Sequence, residues 1–393
     1  MKRVLIQEGG REEVFSSIKA EWQRLFAASG CSPFLDWEWM FAWYNSFAGN
    51  KSPYVLKAFR EDKLIGILPM IIEEKKLLGM RFKQLSLMGE GPGGADHLGV
   101  ISRPEDRSDS LSAIFDYLRD ERHFDLIRLE NLAEDSDTVV LLKSLGRTKK
   151  GPGLRFSESV TDVCPQIDLT GGWEAILHRS KRAANFKRRL RKIEKMNGFE
   201  YRSLTSPDET AAAFERFIRL HDKRRAGIGG SELSGHPRLI SFQRSLIPGM
   251  ARAGLIRFDE LWVEGECRSS VYGLDDGQTF YYYNSGFDPD YAHQSVGLVL
   301  LGLSVKNAAA RGCSVYDFLR GGEAYKFDWA TRSTNFITVS WNRGTARAVG
   351  YEHLGKTWSS IRNVSKSVLP AGISETIAGW RRAWKRNHRL SDR

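Results

Sequence analysis

Residues 281–297 read YYYNSGFDPDYAHQSVG and residues 314–329 read SVYDFLRGGEAYKFDW. The first stretch runs an aromatic strand into a turn around Gly286 and Pro289 and then into a helix beginning with Gln294-x-x-Gly297. Glycine there lets a backbone approach a ligand closely, and the free N–H groups of a helix start suit phosphates. The second stretch is a strand that ends in a crowd of acids, a lysine and aromatics. The C-terminal ends of strands are where α/β folds place their sites. Asp317 or Glu323 there is a candidate proton acceptor, and Lys326 or Arg320 a candidate anion holder.

Upstream, LIRFDELWVEG, CRSSVYGL and QTFYYYNSG read as a meander of strands joined at Glu264-Gly265-Glu266 and Asp275-Asp276-Gly277. Helices are expected over 173–197, 207–226, 237–253 and 295–311. The first half shows the same order. A helix places Val14, Ile18, Trp22 and Phe26 on one face and ends at Gly30. Another follows Pro33, with Phe34, Trp37, Phe41 and Tyr44 in one stripe. Strands YVLKAFR, LIGILPMII and RFKQLSLMG come next, then a helix over 107–121 and strand FDLIRLENL. This order predicts a duplicated α/β unit, divided as 1–160, 161–349 and a basic tail, 350–393.

The chain has 393 residues, with 21 Phe, 11 Trp and 12 Tyr, which excludes a disordered protein and gives length for two or three domains. The longest apolar run, Ser295 to Val305, has about half the length of a membrane-spanning helix. The first residues, MKRVLIQEGGREE, lack the apolar core of a secretory signal. Cysteines 31, 164, 267 and 313 show no metal spacing and predict reduced thiols in a cytoplasmic protein. The eight His have no partner spacing, so no metal is expected. Gly89-x-Gly91-x-x-Gly94 matches a dinucleotide fingerprint but opens no helix, so it reads as a turn.

Gln294-x-x-Gly297, with Asp317-Phe-Leu-Arg-Gly-Gly-Glu323-Ala-Tyr325-Lys326-x-x-Trp329, resembles the CelD-like acetyltransferases of bacterial polysaccharide synthesis, within the GNAT superfamily. Pro33-Phe34-x-x-Trp37-x-Trp39, Gly66-x-x-Pro69 and the arginines of 182–192 are also similar to that family. The resemblance spans roughly residues 10–345. It implies tandem GNAT-like domains, each a mixed, largely antiparallel sheet flanked by helices, as in the Fem peptidyltransferases. It further implies that acetyl-CoA or another acyl-CoA inserts between two splayed strands. Its thioester would lie near Tyr283 and Asn284 and its phosphates near Gln294, Ser295 and Gly297. Asp317 or Glu323 would then be the base and Tyr325 the proton donor to the leaving thiolate. Lys326, Arg320, Trp37 and Arg224 would bind substrate. Val299 stands where the family's loop has a second small residue, and Fem-type relatives use aminoacyl-tRNA, so the acyl donor stays open.

Lys and Arg number 59 against 48 acids, a net charge of +11. Residues 178–202 and 341–393 each carry a net +8, which leaves the remainder slightly acidic. The helix bearing Lys187, Arg188, Arg191, Lys192 and Lys195 would attract an anionic partner: CoA, a sugar nucleotide, tRNA or acidic lipid. In the tail, Ile373, Ile377, Trp380 and Trp384 form a stripe beside Arg381, Arg382, Lys385 and Arg386, the pattern of a helix lying on an anionic membrane face. The expectation is a cytoplasmic N-acyltransferase, peripheral on the inner face of the membrane through its tail. It would move an acyl group from acyl-CoA to an amino sugar or sugar nucleotide for exopolysaccharide. The alternatives are a Fem-like aminoacyl-tRNA transferase and a non-catalytic binder of an anionic ligand, with nucleic acid the less favoured partner.

Overall fold

The computed structural model describes residues 4–9, 15, 17–77, 80–121, 124–148, 155–226 and 233–342. The basic tail and its amphipathic stripe lie outside these residues, as does Val14.

The first unit runs β1 (Val4–Gly9), α1 (Lys19–Ala27), α2 (Trp37–Phe47), β2 (Ser52–Arg60), β3 (Lys63–Leu77), β4 (Met80–Leu87), α3 (Arg107–Asp120) and β5 (Leu126–Ala133). Then come α4 (Asp137–Thr148) and the long strand β6 (Arg155–Asp168). The second unit runs α5 (Gly172–Arg179), α6 (Ala183–Ile193), β7 (Glu200–Leu204), α7 (Pro207–Ala226), α8 (Pro237–Arg252), β8 (Ile256–Val263), β9 (Glu266–Asp275) and β10 (Thr279–Phe287). It continues through α9 (Val296–Ala310), β11 (Val315–Asp317), α10 (Ala324–Phe327) and β12 (Arg332–Asn342).

The duplicated order is visible in the pairing. β2, β3 and β4 form an antiparallel meander, α3 crosses over, and β5 returns parallel to β4. β8, β9 and β10 form a second meander, α9 crosses over, and β11 returns parallel to β10. All strands join one sheet in the order β1-β2-β3-β4-β5-β12-β6-β11-β10-β9-β8-β7. β12 and β6 link the two meanders, β12 pairing with β5 on one side and β6 with β11 on the other. The division at 160/161 falls inside β6.

In the second unit the period of two along β10 sorts its aromatics. Phe280 and Tyr282 pack with Phe186, Val299 and Trp329 beneath α5, α6 and α9. Tyr281 and Tyr283 pack with Phe34, Trp39 and Phe242 beneath α2, α7 and α8. In α2 the expected stripe is incomplete. Trp39, Met40 and Trp43 are also fully buried, because α2 is covered by α8 as well as by the sheet, and Phe41 is left exposed.

Three expectations change. The helix expected over 173–197 is two helices, α5 and α6. Ser180 turns extended and its hydroxyl accepts the Arg182 N–H, while the Lys181 N–H and the Arg182 side chain turn to Asp328. The strand expected over 314–322 stops at Asp317, because the Asp317 carboxylate takes the Leu319 N–H at 2.6 Å and Leu319 adopts φ +55°. Strands β6 and β12 stand where no strand is expected, since segments such as RFSESVTD and RSTN carry little apolar pattern to announce one.

Candidate active site

β10 and β11 pair only from Thr279–Tyr281 to Val315–Asp317. Beyond that point β10 continues to Phe287 bonded to β9 alone, while the chain after Asp317 turns toward β6, where the Phe318 N–H bonds Pro165 and the Gly321 N–H bonds Val163. Two parallel strands therefore part, leaving one edge of Tyr282–Phe287 unpaired. The β10–β9 ladder also slips between Tyr282 and Asn284, a bulge that re-aims the side chains beside the gap.

At the mouth of this gap stand Tyr282, Ser285, Phe287, Arg224, Glu323 and Tyr325. The Tyr282 hydroxyl donates to Ser285 at 2.6 Å, and the Arg224 guanidinium lies 4.7 Å over the Phe287 ring. Tyr325 is 39 % exposed. Desolvation, then the neighbouring Tyr282 hydroxyl, push its phenol well above the ordinary range, so it stays protonated at neutral pH. Partial burial, the largest single effect, raises Glu323, but the bond and charge of Lys326 together with a backbone hydrogen bond outweigh it and the net is below the usual carboxylate value. Lys326 is itself buried, its ammonium donating to Glu323 Oε2 and to the Arg320 carbonyl, each at 2.9 Å. Gly321 permits this fold-back. It sits at φ +128°, and a Cβ there would meet Glu323 Oε2 at 2.3 Å.

Across the gap, α9 begins at Ser295, held at φ +62° with no side-chain cap and no acid in its first turn. Gly297 faces the Phe287 ring. A Cβ at this position would lie 3.3 Å from that ring, so a larger residue would press on the end of β10. Helix α6 lies alongside: Arg189 Nη1 donates to the His293 carbonyl at 3.0 Å. Arg189 Nε and Gln294 Oε1 are both buried with no hydrogen-bond partner. The exposed arc of α6 presents Lys187, Arg188, Arg191 and Lys192, and Lys195 stands exposed in the turn that follows, past the end of the helix.

Asp317 does not reach this mouth. It is 1 % exposed and lies on the opposite face of the sheet, with Tyr281. Its carboxylate accepts from Cys164 Sγ at 2.9 Å, Gln166 Nε2 at 2.7 Å and the Leu319 N–H, and lies 3.1 Å from His97 Nε2. Burial pushes Asp317 up, yet the His97 charge and these donors hold it below its ordinary value. Arg320 bonds Asp96 through both its backbone N–H and guanidinium, and donates to Asn131 at 2.6 Å. It therefore fastens the second unit to the first. Three non-glycine residues at this junction, His97, Asn131 and Leu319, have positive φ, a strain of about 1–3 kcal/mol each that persists only where surrounding bonds over-determine it.

Tyr283 also faces the first unit: its hydroxyl donates to the Gly93 carbonyl at 2.5 Å and accepts from Gln243 at 2.9 Å. Asn284 caps the Ser285 N–H. Beside Gly93 a cleft of about 810 Å³ opens between Phe47, Pro92 and Gly93 and the start of α8 at Gly235–Leu239. Trp37 is buried in the first unit, stacked on Phe41 with Lys19 above it. The structure thus brings together Glu323, Tyr325, Lys326 and Arg224 at the mouth, with Gln294, Ser295 and Gly297 at the helix start. It sets Asp317, Arg320, Tyr283 and Trp37 apart from them. Sequence reading missed His97, Cys164 and Gln166, which are far from Asp317 along the chain. The one available signal was the turn at Gly89–Gly94, which delivers Asp96 and His97 to the second unit.

Residues 180–327 match the acetyltransferase (GNAT) domain family. No curated protein sequence matches the chain. Among solved structures the chain resembles FemX, with 11 % identity and a TM-score of 0.58 over 81 % of this chain and 95 % of that one. It also resembles the C-terminal domain of a candidate lysylphosphatidylglycerol synthetase from Agrobacterium fabrum, with 10 % identity and a TM-score of 0.52 over 87 % of this chain and 96 % of that one. At such identities the likeness concerns the fold: a tandem GNAT-like α/β architecture whose second unit carries the acetyltransferase match.

Proposed function

We propose that the second unit transfers an acyl group from acyl-CoA to an amino group of a sugar or sugar nucleotide, in the manner of the CelD-like enzymes of exopolysaccharide synthesis. The observation that carries this reading is the parting of β10 and β11 beside an uncapped helix start. The unpaired edge of Tyr282–Phe287 offers backbone groups to an amide-bearing pantetheine arm. The first N–H groups of α9, with Arg189 beside them, suit the pyrophosphate.

The acceptor amine attacks the thioester carbonyl, the tetrahedral intermediate expels the CoA thiolate, and the amine gives up one proton. Tyr325, kept protonated, is placed to donate to the thiolate. Glu323, ionised at neutral pH, is placed to take the ammonium proton to solvent. Asp317 is enclosed by its own partners and positions the strand end. Arg224 and Lys326 add positive charge near an anionic acceptor. Peripheral membrane binding through residues 370–393 belongs to the same proposal; among the described residues no helix is long and apolar enough to cross a membrane.

A panel of CoA thioesters and amino-sugar acceptors, read by thiol release and by melting temperature, tests the reading. Acyl-CoA should raise the melting temperature, and Tyr325→Phe should lower kcat about 10–100-fold with little change in acyl-CoA affinity. No thermal shift with any thioester and no thiol release would sink it. The likeness to FemX and the exposed cations of α6 favour one second reading, a Fem-like aminoacyl-tRNA donor. It requires aminoacyl transfer from charged tRNA, with affinity falling steeply as salt rises.

A further inference from the structure

The junction between the two units holds a cluster that the acyl-transfer reading does not use. One ring nitrogen of His97, Cys164 Sγ and a carboxylate oxygen of Asp317 all lie within 4.8 Å of one another, on three segments far apart in the chain. Cys164 and Asp317 are buried, and His97 keeps 18 % of its side-chain surface. We propose that these three side chains bind one divalent zinc-class ion that ties the Gly89–Gly94 turn of the first unit to strands β6 and β11.

The donor set decides the metal. One imidazole nitrogen, one thiolate and one carboxylate oxygen are the ligands zinc takes, whereas calcium and magnesium call for oxygen alone. Tetrahedral zinc, with bonds of about 2.0–2.3 Å, holds its ligand atoms roughly 3.3–3.7 Å apart. Sγ stands 2.9 Å from Oδ1 and Nε2 3.1 Å from Oδ2 of the carboxylate, and the three ligand atoms lie within 4.8 Å of one another, so each separation needs to change by no more than about an ångström. The outer contacts are already built. Gln166 Nε2 and the Leu319 N–H fix the carboxylate, and Arg332 Nε fixes Gln166 through its Oε1 at 2.9 Å. Such partners orient metal ligands and are part of a working site.

The charges also close. Binding releases two protons to solvent, the thiol proton and the Nε2 proton of the charged imidazole, and leaves the other imidazole proton on Nδ1, which makes no hydrogen bond among the described residues. Thiolate and carboxylate then balance the dication. With three protein ligands the fourth position falls to water. The residue order explains why no spacing motif announces the site: its ligands converge through the sheet order that places β6 beside β11 and through the loop that reaches across from β4.

The test uses the untagged full chain expressed in zinc-supplemented medium. Elemental analysis should find about one zinc per chain, and a chelator should lower the melting temperature. Cobalt(II) added to the chelator-treated chain should give a thiolate charge-transfer band. Cys164→Ser and His97→Gln should each abolish that band, while the triple variant Cys31→Ser, Cys267→Ser, Cys313→Ser should keep it. If Cys164→Ser fails to fold, the triple variant decides alone, because Cys164 is then the sole cysteine. A chain without transition metal that also shows no cobalt band overturns the proposal, as does a band that survives in Cys164→Ser or vanishes in the folded triple variant.

Discussion

The two units share a meander, a crossover helix and a parallel returning strand, yet one is closed and the other open. In the first unit the space beyond the β4–β5 pairing is filled by the chain itself. Met88, Ala95, Leu98, Val100 and Ile101 are buried there, and the Leu98 N–H bonds the Asn131 carbonyl on β5. The start of α3 is likewise filled: Asp106 and Asp109 occupy it and Arg60 neutralises both, at 2.6 and 2.7 Å. In the second unit β10 runs on past the end of β11 paired with β9 alone, and α9 starts with no acid and no side-chain cap. One topology thus supplies a filled scaffold in one copy and a free strand edge in the other. The first unit's filling loop is also what carries Asp96 and His97 across to the second.

The largest effect should come from breaking the contact between the units. Arg320→Ala leaves Asp96 buried at 1 % exposure without its guanidinium, an uncompensated carboxylate whose cost is about 3–5 kcal/mol. Urea unfolding should show that loss, and Asp96→Asn in the same chain should restore much of it. A loss below about 1 kcal/mol would mean that the units are held by packing alone.

A second, pH-dependent effect separates helix starts in the two units. Asp36 caps α2, accepting the Glu38 N–H at 2.8 Å, and is 3 % exposed. Desolvation by burial raises its carboxyl to about 6, against the lowering effect of that N–H. A carboxyl raised on folding contributes stability that is fully present below the unfolded value near 4 and lost as pH rises through about 6. Asp36→Asn keeps a good cap without the charge. Its stability relative to the parent should therefore rise between pH 4 and pH 7, by at most about 3 kcal/mol. A flat difference across that range would show that Asp36 is ionised without penalty.

Much of the fold was legible because local signals and packing agree. The turns at Glu61 and Glu264–Gly265, the apolar runs of β2 and β8, and the start of α9 all sit where the sequence put them. What escaped was long-range. β6 and β12 carry Ser, Thr and charged residues because half of each strand faces outward, so only their pairing with each other and with β5 and β11 reveals them as strands. The site divided in the same way. Glu323, Tyr325 and Lys326 could be grouped from the sequence because they follow one another at the start of the short helix α10. Asp317 drew attention for the right segment, but its neighbours His97, Cys164 and Gln166 come from elsewhere in the chain, and their burial around it has no signature in spacing.

Making the open unit resemble the closed one sharpens the contrast. Ser295→Asp puts a carboxylate at the start of α9, as Asp106 stands at the start of α3. The helix dipole should make the chain more stable by about 0.3–1 kcal/mol. Repulsion of donor phosphates should weaken acyl-CoA binding by about 10–100-fold, which calorimetric titration would read. Loss of binding together with loss of stability would mean that the substitution distorts the helix start and leave the cleft argument without support.

The smallest effect has the opposite pH sign to that of Asp36. At the start of α7, Glu209 reaches back to the hydroxyl and N–H of Ser206, at 2.6 and 3.3 Å. The Ser206 hydroxyl, followed by its N–H, holds the Glu209 carboxyl below its usual value, and the side chain is fully solvated. A carboxyl lowered on folding contributes stability present above the unfolded value near 4.5 and lost as pH falls through the folded one. Glu209→Gln should therefore be slightly less stable than the parent at pH 7, and the two should converge as pH falls toward 3. Added salt should shrink the difference at neutral pH, because an exposed charge is screened. Measured beside Asp36→Asn in the same buffers, the two differences should drift in opposite senses with acidification. Parallel drifts would show that pH acts on both helices through the net charge of the chain rather than through these two carboxyls.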